Sequence, residues 1–296
     1  MRAIRLKDST KFWLFISPWM IAFAAFTLVP MALSLVMCFT SVKITTMFTR
    51  EWRFIGFLNF TDIFTTDDRF VRSILNTFVY SVCKVAISLI ASLLVALLLN
   101  KKIVFRNGYR VLIYLPAIIP AVSSALLWNL LVYQDRGLIV NLFEMMGFGR
   151  IDFGRPQYAM PSVLIINTMG MVGPWMVILL AALQGVPRDI VEACELEGIS
   201  PLQKLWHITL PLISPSVFFL SVTGFINSLQ AYAEIELLIR DNYYTYTMSM
   251  SIMDNAFGGL GMGYASAQAW VVFVIISAFT LIFFKLTLKK VYYMGD

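Results

Sequence analysis

Five stretches of the chain carry no charged residue: 12–42, 111–134, 156–187, 208–233 and 255–284. A sixth, 73–99, is interrupted only by Lys84. Each is long enough to cross a hydrocarbon core, which takes about 20 apolar residues. The pattern therefore predicts an all-α integral membrane protein of six transmembrane helices. The most polar internal segment, 186–211, falls between the fourth and fifth stretches. The first stretch follows a few basic residues and contains Ala22, Phe23 and Ala24, a run that mimics a signal peptidase site. Its apolar character continues well past that point, so it reads as an uncleaved first helix. Proline recurs in the stretches at Pro18, Pro30, Pro116, Pro120, Pro161, Pro174 and Pro215. Either packing kinks or helices bent around a pathway account for them, since proline is frequent in membrane helices generally.

Composition agrees. With 59% hydrophobic and 14% charged residues and a mean hydropathy of +0.78, the chain is too apolar for an ordinary soluble domain. The net charge of +6 raises nucleic acid as a partner, but the basic residues are scattered over short loops and form no single patch. Their distribution sets orientation instead. Six spans place both termini on one side, and segments 1–11, 100–110, 188–207 and 285–296 on that side carry 13 Lys and Arg. The longer opposite loops, 43–72, 135–155 and 234–254, carry 9. Both termini are therefore expected in the cytoplasm. Cys38, Cys83, Cys194 and the single His207 lack ligand spacing, so neither a disulfide framework nor a metal site is expected.

Segment 186–211 reads as two short helices joined by a turn. Pro187 suits the first helical position, Asp189 and Glu192 favour the positive N-terminal end, and Gly198 permits the left-handed closure. Ser200 and Pro201 then start a second helix with Leu202, Leu205 and Trp206 on its apolar face, ending by Pro211. Such a pair fits a docking knob, its apolar face filling a partner's groove while Glu192 meets a guanidinium there. The alternative, a helix pair lying on lipid headgroups, suits poorly a segment with four acids and two basic residues.

The spacing Glu192-Ala193-Cys194, then Gly198, then Ile208-Thr209-Leu210-Pro211 resembles the Glu-Ala-Ala loop of binding-protein-dependent ABC importer permeases. Two positions depart from that pattern: Cys194 replaces the second alanine, and Glu197 stands where the sugar permeases usually have aspartate. The resemblance extends over nearly the whole chain through FTLVPMALSLVMCFT, FIGFLNFTDIF, NTFVYSV, LNKKIVFRNGYRVLIYLPAIIP, AALQGVPRDIVEA and GYASA. It points to the carbohydrate branch, which includes the first permease of the maltose and glycerol-phosphate importers. The resemblance implies a MetI-like core over 71–285, preceded by residues 1–70 with one extra helix and followed by a cytoplasmic tail, 286–296. It also implies a bacterial or archaeal plasma-membrane location and coupling to the ATPase through Glu192, Ala193, Cys194, Gly198, Ile208, Leu210 and Pro211. The implied partners are a second permease, an ATPase dimer that binds ATP and Mg, an extracytoplasmic solute-binding protein and a sugar.

The chain itself has no phosphate-cradling Gly-x-x-x-x-Gly-Lys-Ser/Thr loop, so it is not expected to be an enzyme or to hold a cofactor. Candidate substrate-path residues lie in the fifth stretch, where Thr223, Asn227 and Gln230 recur at three- and four-residue spacing. Asn227 and Gln230 match sugar-contacting positions of the maltose permease if one residue is deleted between Pro211 and Pro215. Trp175 and Tyr232 are candidate stacking platforms; interhelical hydrogen bonding and aromatic packing are the plainer uses of all five side chains. Every Asp and Glu falls outside the stretches, which leaves Lys84 with no evident acidic partner. Its stem is therefore expected to reach backbone carbonyls or a wet crevice. The absence of intramembrane carboxylates argues against an ion-coupled transporter, and no selectivity-filter or His-Glu-x-x-His motif supports a channel or an intramembrane enzyme. A neutral sugar is favoured over glycerol phosphate, because anionic cargo calls for Arg or Lys along the path and apart from Lys84 the sequence places none there; a polyamine is the other non-sugar alternative.

Overall fold

The computed structural model describes residues 8–46, 52–101, 103–132, 137–150, 152, 153, 155–239, 242–259 and 261–288. The remaining N-terminal residues and most of the tail expected at 286–296 lie outside these. The described chain is helical, with one isolated bridge between Thr40 and Phe54. In chain order the helices are α1 (Asp8–Phe23), α2 (Val29–Met37), α3 (Leu58–Thr65), α4 (Asp68–Asn100), α5 (Arg106–Ile118), α6 (Ala121–Val132), α7 (Leu138–Met145) and α8 (Pro156–Gln184). There follow α9 (Arg188–Leu196), α10 (Pro201–Lys204), α11 (Leu210–Leu212), α12 (Ser214–Leu229), α13 (Ala233–Glu236), α14 (Met248–Phe257) and α15 (Met262–Leu288).

Four of the six apolar stretches are continuous spans: Lys11–Met37, Asp68–Asn100, Pro156–Gln184 and Met262–Thr287. The other two are bent pairs. Between α5 and α6 the axis turns by 95°, and at Ile213 the helix ending in α11 turns by 69° into α12. Proline accounts for the first break: Ile119, which precedes Pro120, is extended at ψ 127°, as a residue before proline prefers. Pro30 and Pro211 are accommodated differently. Each follows a π-helical turn, Ala24–Leu28 and Leu205–Thr209, closed by Val29 N–H to Ala24 O and Leu210 N–H to Leu205 O. The wider turn moves the ladder away from the carbonyl that a proline ring would strike. Pro161 and Pro174 sit within the unbroken α8.

The chain forms two compact units, Met1–Asp68 with Ile252–Val272, and Arg69–Ser251 with Phe273–Asp296. In the first, Gly263 lies against the backbone after α2: its N–H donates to Val42 O at 2.9 Å, and a Cβ there would stand 2.1 Å from Thr40 O. Asn59 donates to Cys38 O and Thr40 O, while Asp67 accepts from Tyr264 and Gln268.

The second unit is built on α4, which is inverted relative to a soluble helix. Ser73, Thr77, Ser81, Lys84, Ser88, Ser92 and Ala96 repeat at three- and four-residue spacing and are buried, whereas Leu75, Val79, Val82, Ile87, Ile90, Leu94 and Leu98 are exposed. Lipid tails are as apolar as leucine, so large side chains gain nothing by hiding, and small ones at the crossing let neighbouring helices approach. Gly173 of α8 serves the same end, since a Cβ there would lie 2.7 Å from Ile113 O and Tyr114 Cα of α5. The core joins α4, α8 and α12 through Val85, Trp175, Met176, Leu179, Ile213 and Leu220. Phe218 of α12 stacks on Phe283 and meets Phe284 edge-on, and Phe225 packs at a tilt against Phe279 and Phe283 of α15.

Candidate functional site

Two regions of the second unit hold the candidate residues, and α12 runs from one to the other. The first is the loop 186–211. Its helix α9 begins one residue later than expected, with Pro187 as the extended flanking residue. It ends on Gly198 at φ +67°, where Gly198 N–H bonds to Glu195 O and Ile199 N–H to Cys194 O. That pair of bonds is the Schellman closure, which needs a residue comfortable in the left-handed region. Ser200 then caps α10 reciprocally with Gln203, each side chain serving the other's backbone N–H. An ion pair between Lys204 and Glu195 at 3.3 Å ties the two short helices together. Glu192 and Ala193 are exposed and Cys194 is buried beneath them. Leu196, Leu202 and Trp206 are also exposed, at 89%, 67% and 62%. Beyond Lys204 the helix does not stop by Pro211 but continues to Leu212, with Ile208, Leu210 and Pro211 half-buried on the approach to the bend.

The second region is a cleft of about 930 Å³ between α4, the α5–α6 break, α8 and the end of α12. Asn227, Gln230 and Tyr232 line it, together with Asn167, Trp128, Ser124, Lys84 and Glu234. Thr223 and Trp175 are not on its wall. The Thr223 hydroxyl donates to Phe219 O at 2.8 Å within its own helix. The Trp175 ring is buried against Gly224, where a Cβ would come within 2.5 Å of it. Trp175 is thus a packing residue of the α8–α12 crossing and offers no face to a ring in the cleft.

Lys84 departs from expectation. Its Nζ lies 2.6 Å from Glu234 Oε1, an acid that the sequence pattern assigns to an external loop. Tyr80 also donates to Glu234 Oε1, at 3.1 Å, and Asn167 donates to the Tyr80 hydroxyl at 3.0 Å. Glu234 reaches the cation because the chain after α12 turns back instead of leaving: Thr247 holds Ala231 O at 2.9 Å, and Asn129 holds Leu237 O at 2.6 Å. Asn76 of α4 anchors the return through Tyr243 O and Tyr246 O. The one sequence signal for this pair is that Glu234 is the first acid after the fifth stretch and Lys84 the one cation within a stretch.

A family model for the binding-protein-dependent transport system inner membrane component matches residues 85–291, more than half of the chain. The chain belongs to that family. Within it, this permease is 33% identical over 299 residues to the probable ABC transporter permease YesP of Bacillus subtilis, covering 99% of this chain and 94% of the relative. The sn-glycerol-3-phosphate permease UgpA of Yersinia pestis is 29% identical over 81% of this chain and 82% of its own length. The diacetylchitobiose uptake permease NgcF of Streptomyces coelicolor is 27% identical over 95% of this chain and 82% of its own. The fold is that of a chain of a bacterial alginate ABC transporter solved with its alginate pentasaccharide-bound periplasmic protein, with a TM-score of 0.82 at 23% identity over 95% of this chain and 96% of that one. The protein is therefore an integral membrane permease component of binding-protein-dependent transport, and the all-α, MetI-like fold expected from its sequence is the fold observed.

Proposed function

We propose that this permease forms, with a second permease, the alternating-access path for a neutral sugar of oligosaccharide size, driven by a separate ATPase dimer. The lining of the cleft carries the cargo reading. Asn167, Asn227 and Gln230 line it together with the aromatic Trp128 and Tyr232. Side-chain amides both donate and accept, as sugar hydroxyls require, and flat aromatic faces suit the apolar side of a pyranose ring. The diacetylchitobiose relative supports the same class. Glycerol phosphate is the second reading, prompted by the UgpA relative; against it, the one cation lining the cleft among the described residues is paired to Glu234.

Coupling is assigned to the loop 186–211. ATP and Mg belong to the ATPase, so Glu192, Ala193, Cys194, Gly198, Ile208, Leu210 and Pro211 act by docking and by transmitting force. The exposed Leu196, Leu202 and Trp206 supply the apolar contact, and Glu192 supplies the charge for a guanidinium. The loop lies on the cytoplasmic side with both termini, and an extracytoplasmic binding protein delivers cargo from the other. When the ATPases close, α9 and α10 move with them. The capped, ion-paired loop passes that displacement through the bend at Ile213 into α12, a rod of about 24 Å by its 16 residues. Asn227 and Gln230 ride near its far end, so the cleft changes the side it faces as the helices rock.

Two measurements test this. A Glu192→Cys variant in the assembled transporter is expected to crosslink to the ATPase through a bifunctional reagent; a functional complex that yields no such product sinks the docking role. The solute-binding protein that delivers to this permease is expected to be stabilised by neutral oligosaccharides in a thermal-shift screen. Stabilisation by glycerol phosphate alone would replace the sugar reading.

A further inference from the structure

Lys84 and Glu234 are the charged residues that line the cleft among those described. Their burial is uneven: the Lys84 side chain is 5% exposed and that of Glu234 35%. The ammonium thus stands behind and the carboxylate in front. Glu234 Oε1 is occupied by Lys84 and Tyr80, whereas no donor among the described residues reaches Oε2. Asn167, another lining residue, braces Tyr80 from the side. A carboxylate held from behind with an oxygen to spare is a strong acceptor for hydroxyl groups. It also cancels the cation that an anionic cargo would seek.

We propose that the Lys84–Glu234 pair is a charge filter in the cleft, in which Glu234 accepts hydrogen bonds from a neutral, polyhydroxylated cargo while withholding Lys84 from anions. The inference rests on the cleft being the cargo path. It is separable from a plain structural role, in which the pair pins α13 to α4 shielded from the cleft: neutralising one member of a shielded pair leaves the potential at the cleft wall unchanged.

The test uses the transporter assembled with its partner subunits in membrane vesicles, with the native cysteines replaced by alanine and Ser124→Cys on α6 as a reporter in the cleft. Its thiol is reacted with a cationic and an anionic methanethiosulfonate, and the ratio of the two rates reads the local potential independently of any cargo. For a unit charge roughly 8 Å from a thiol, two reagents of opposite sign shift in ratio on the order of fivefold at the dielectric of water and by more at a lower one. Glu234→Gln should favour the anionic reagent by that factor, Lys84→Gln should favour the cationic one, and the double variant should return close to the parent. Ratios that stay flat in both single variants overturn the filter and leave the cleft as a path. A reporter thiol that reacts from neither side of the membrane overturns the path reading and the filter with it. Should one single variant fail to assemble, the other single and the double variant still decide the sign.

Discussion

At the level of single residues, polar and small side chains do the positioning. Gly224 leaves room for the Trp175 ring, which a Cβ at Gly224 would meet at 2.5 Å, with Val85 3.3 Å from the same Cβ. A Gly224→Leu change has no room to expand, because the ring is buried between α4, α8 and α12. It is expected to cost about 1–3 kcal/mol by overpacking, read as a lower melting midpoint of the purified permease; an unchanged midpoint would mean the crossing is looser than the structure has it. Trp175 also illustrates why sequence alone misjudges aromatics in a membrane helix. Residue type says that a ring could stack on sugar, but whether its face meets a cleft or a glycine depends on which helix crosses there. Lys84 carries the converse lesson. Its need for compensation is legible from position, while its partner lies 150 residues away across a chain reversal that no local pattern announces.

Among the elements, the loop 186–211 was the most readable, because its turn chemistry is local. Gly198 closes α9, and Ser200 with Pro201 opens α10, as residue types predict. Replacing Gly198 by Val places a β-branched residue at φ +67°, a strain of about 1–2 kcal/mol. Ser200→Ala removes the cap for about 1 kcal/mol more. Both changes lie in a short, exposed element with little core to compensate. The double variant is expected to assemble with its partners yet lose most binding-protein-stimulated ATP hydrolysis, since a frayed loop transmits less displacement to α12. Stimulated hydrolysis at the parental level would dissociate loop rigidity from coupling. The bent elements were less legible. Of the prolines, Pro120 stands at the 95° break while Pro161 and Pro174 leave α8 straight enough to count as one span. Proline inside a helix removes a bond, but neighbours decide whether the helix bends or a wider turn absorbs the loss.

For the whole molecule, orientation is the claim to test. In vesicles stripped of the ATPase, an impermeant maleimide should label Leu196→Cys only from the cytoplasmic side and Tyr244→Cys only from the outside, both positions being exposed on the chain itself. The reverse pattern in oriented vesicles would overturn the topology drawn from Lys and Arg counts and, with it, the docking role of the loop. The first helix raises a related point. Phe15 and Phe26 on the span Lys11–Met37 are exposed at 85% and 82%, and none of that span's most apolar window is buried by its own chain. Such a helix is satisfied by lipid or by another subunit, in keeping with a permease that works as one part of a complex.

Hydropathy and charge by themselves determined the membrane class, the six stretches and the sided distribution of basic residues, because a bilayer imposes length and charge rules on each segment separately. Motif spacing determined the family through the loop, because its caps and helices are set by neighbours in sequence. Tertiary structure alone decided which polar residues share a cleft, that Trp175 belongs to the core, and that Glu234 returns to meet Lys84. The physical reason is the solvent. With lipid as apolar as the side chains, burial no longer sorts residues by hydrophobicity, and helix packing assigns each polar group its partner.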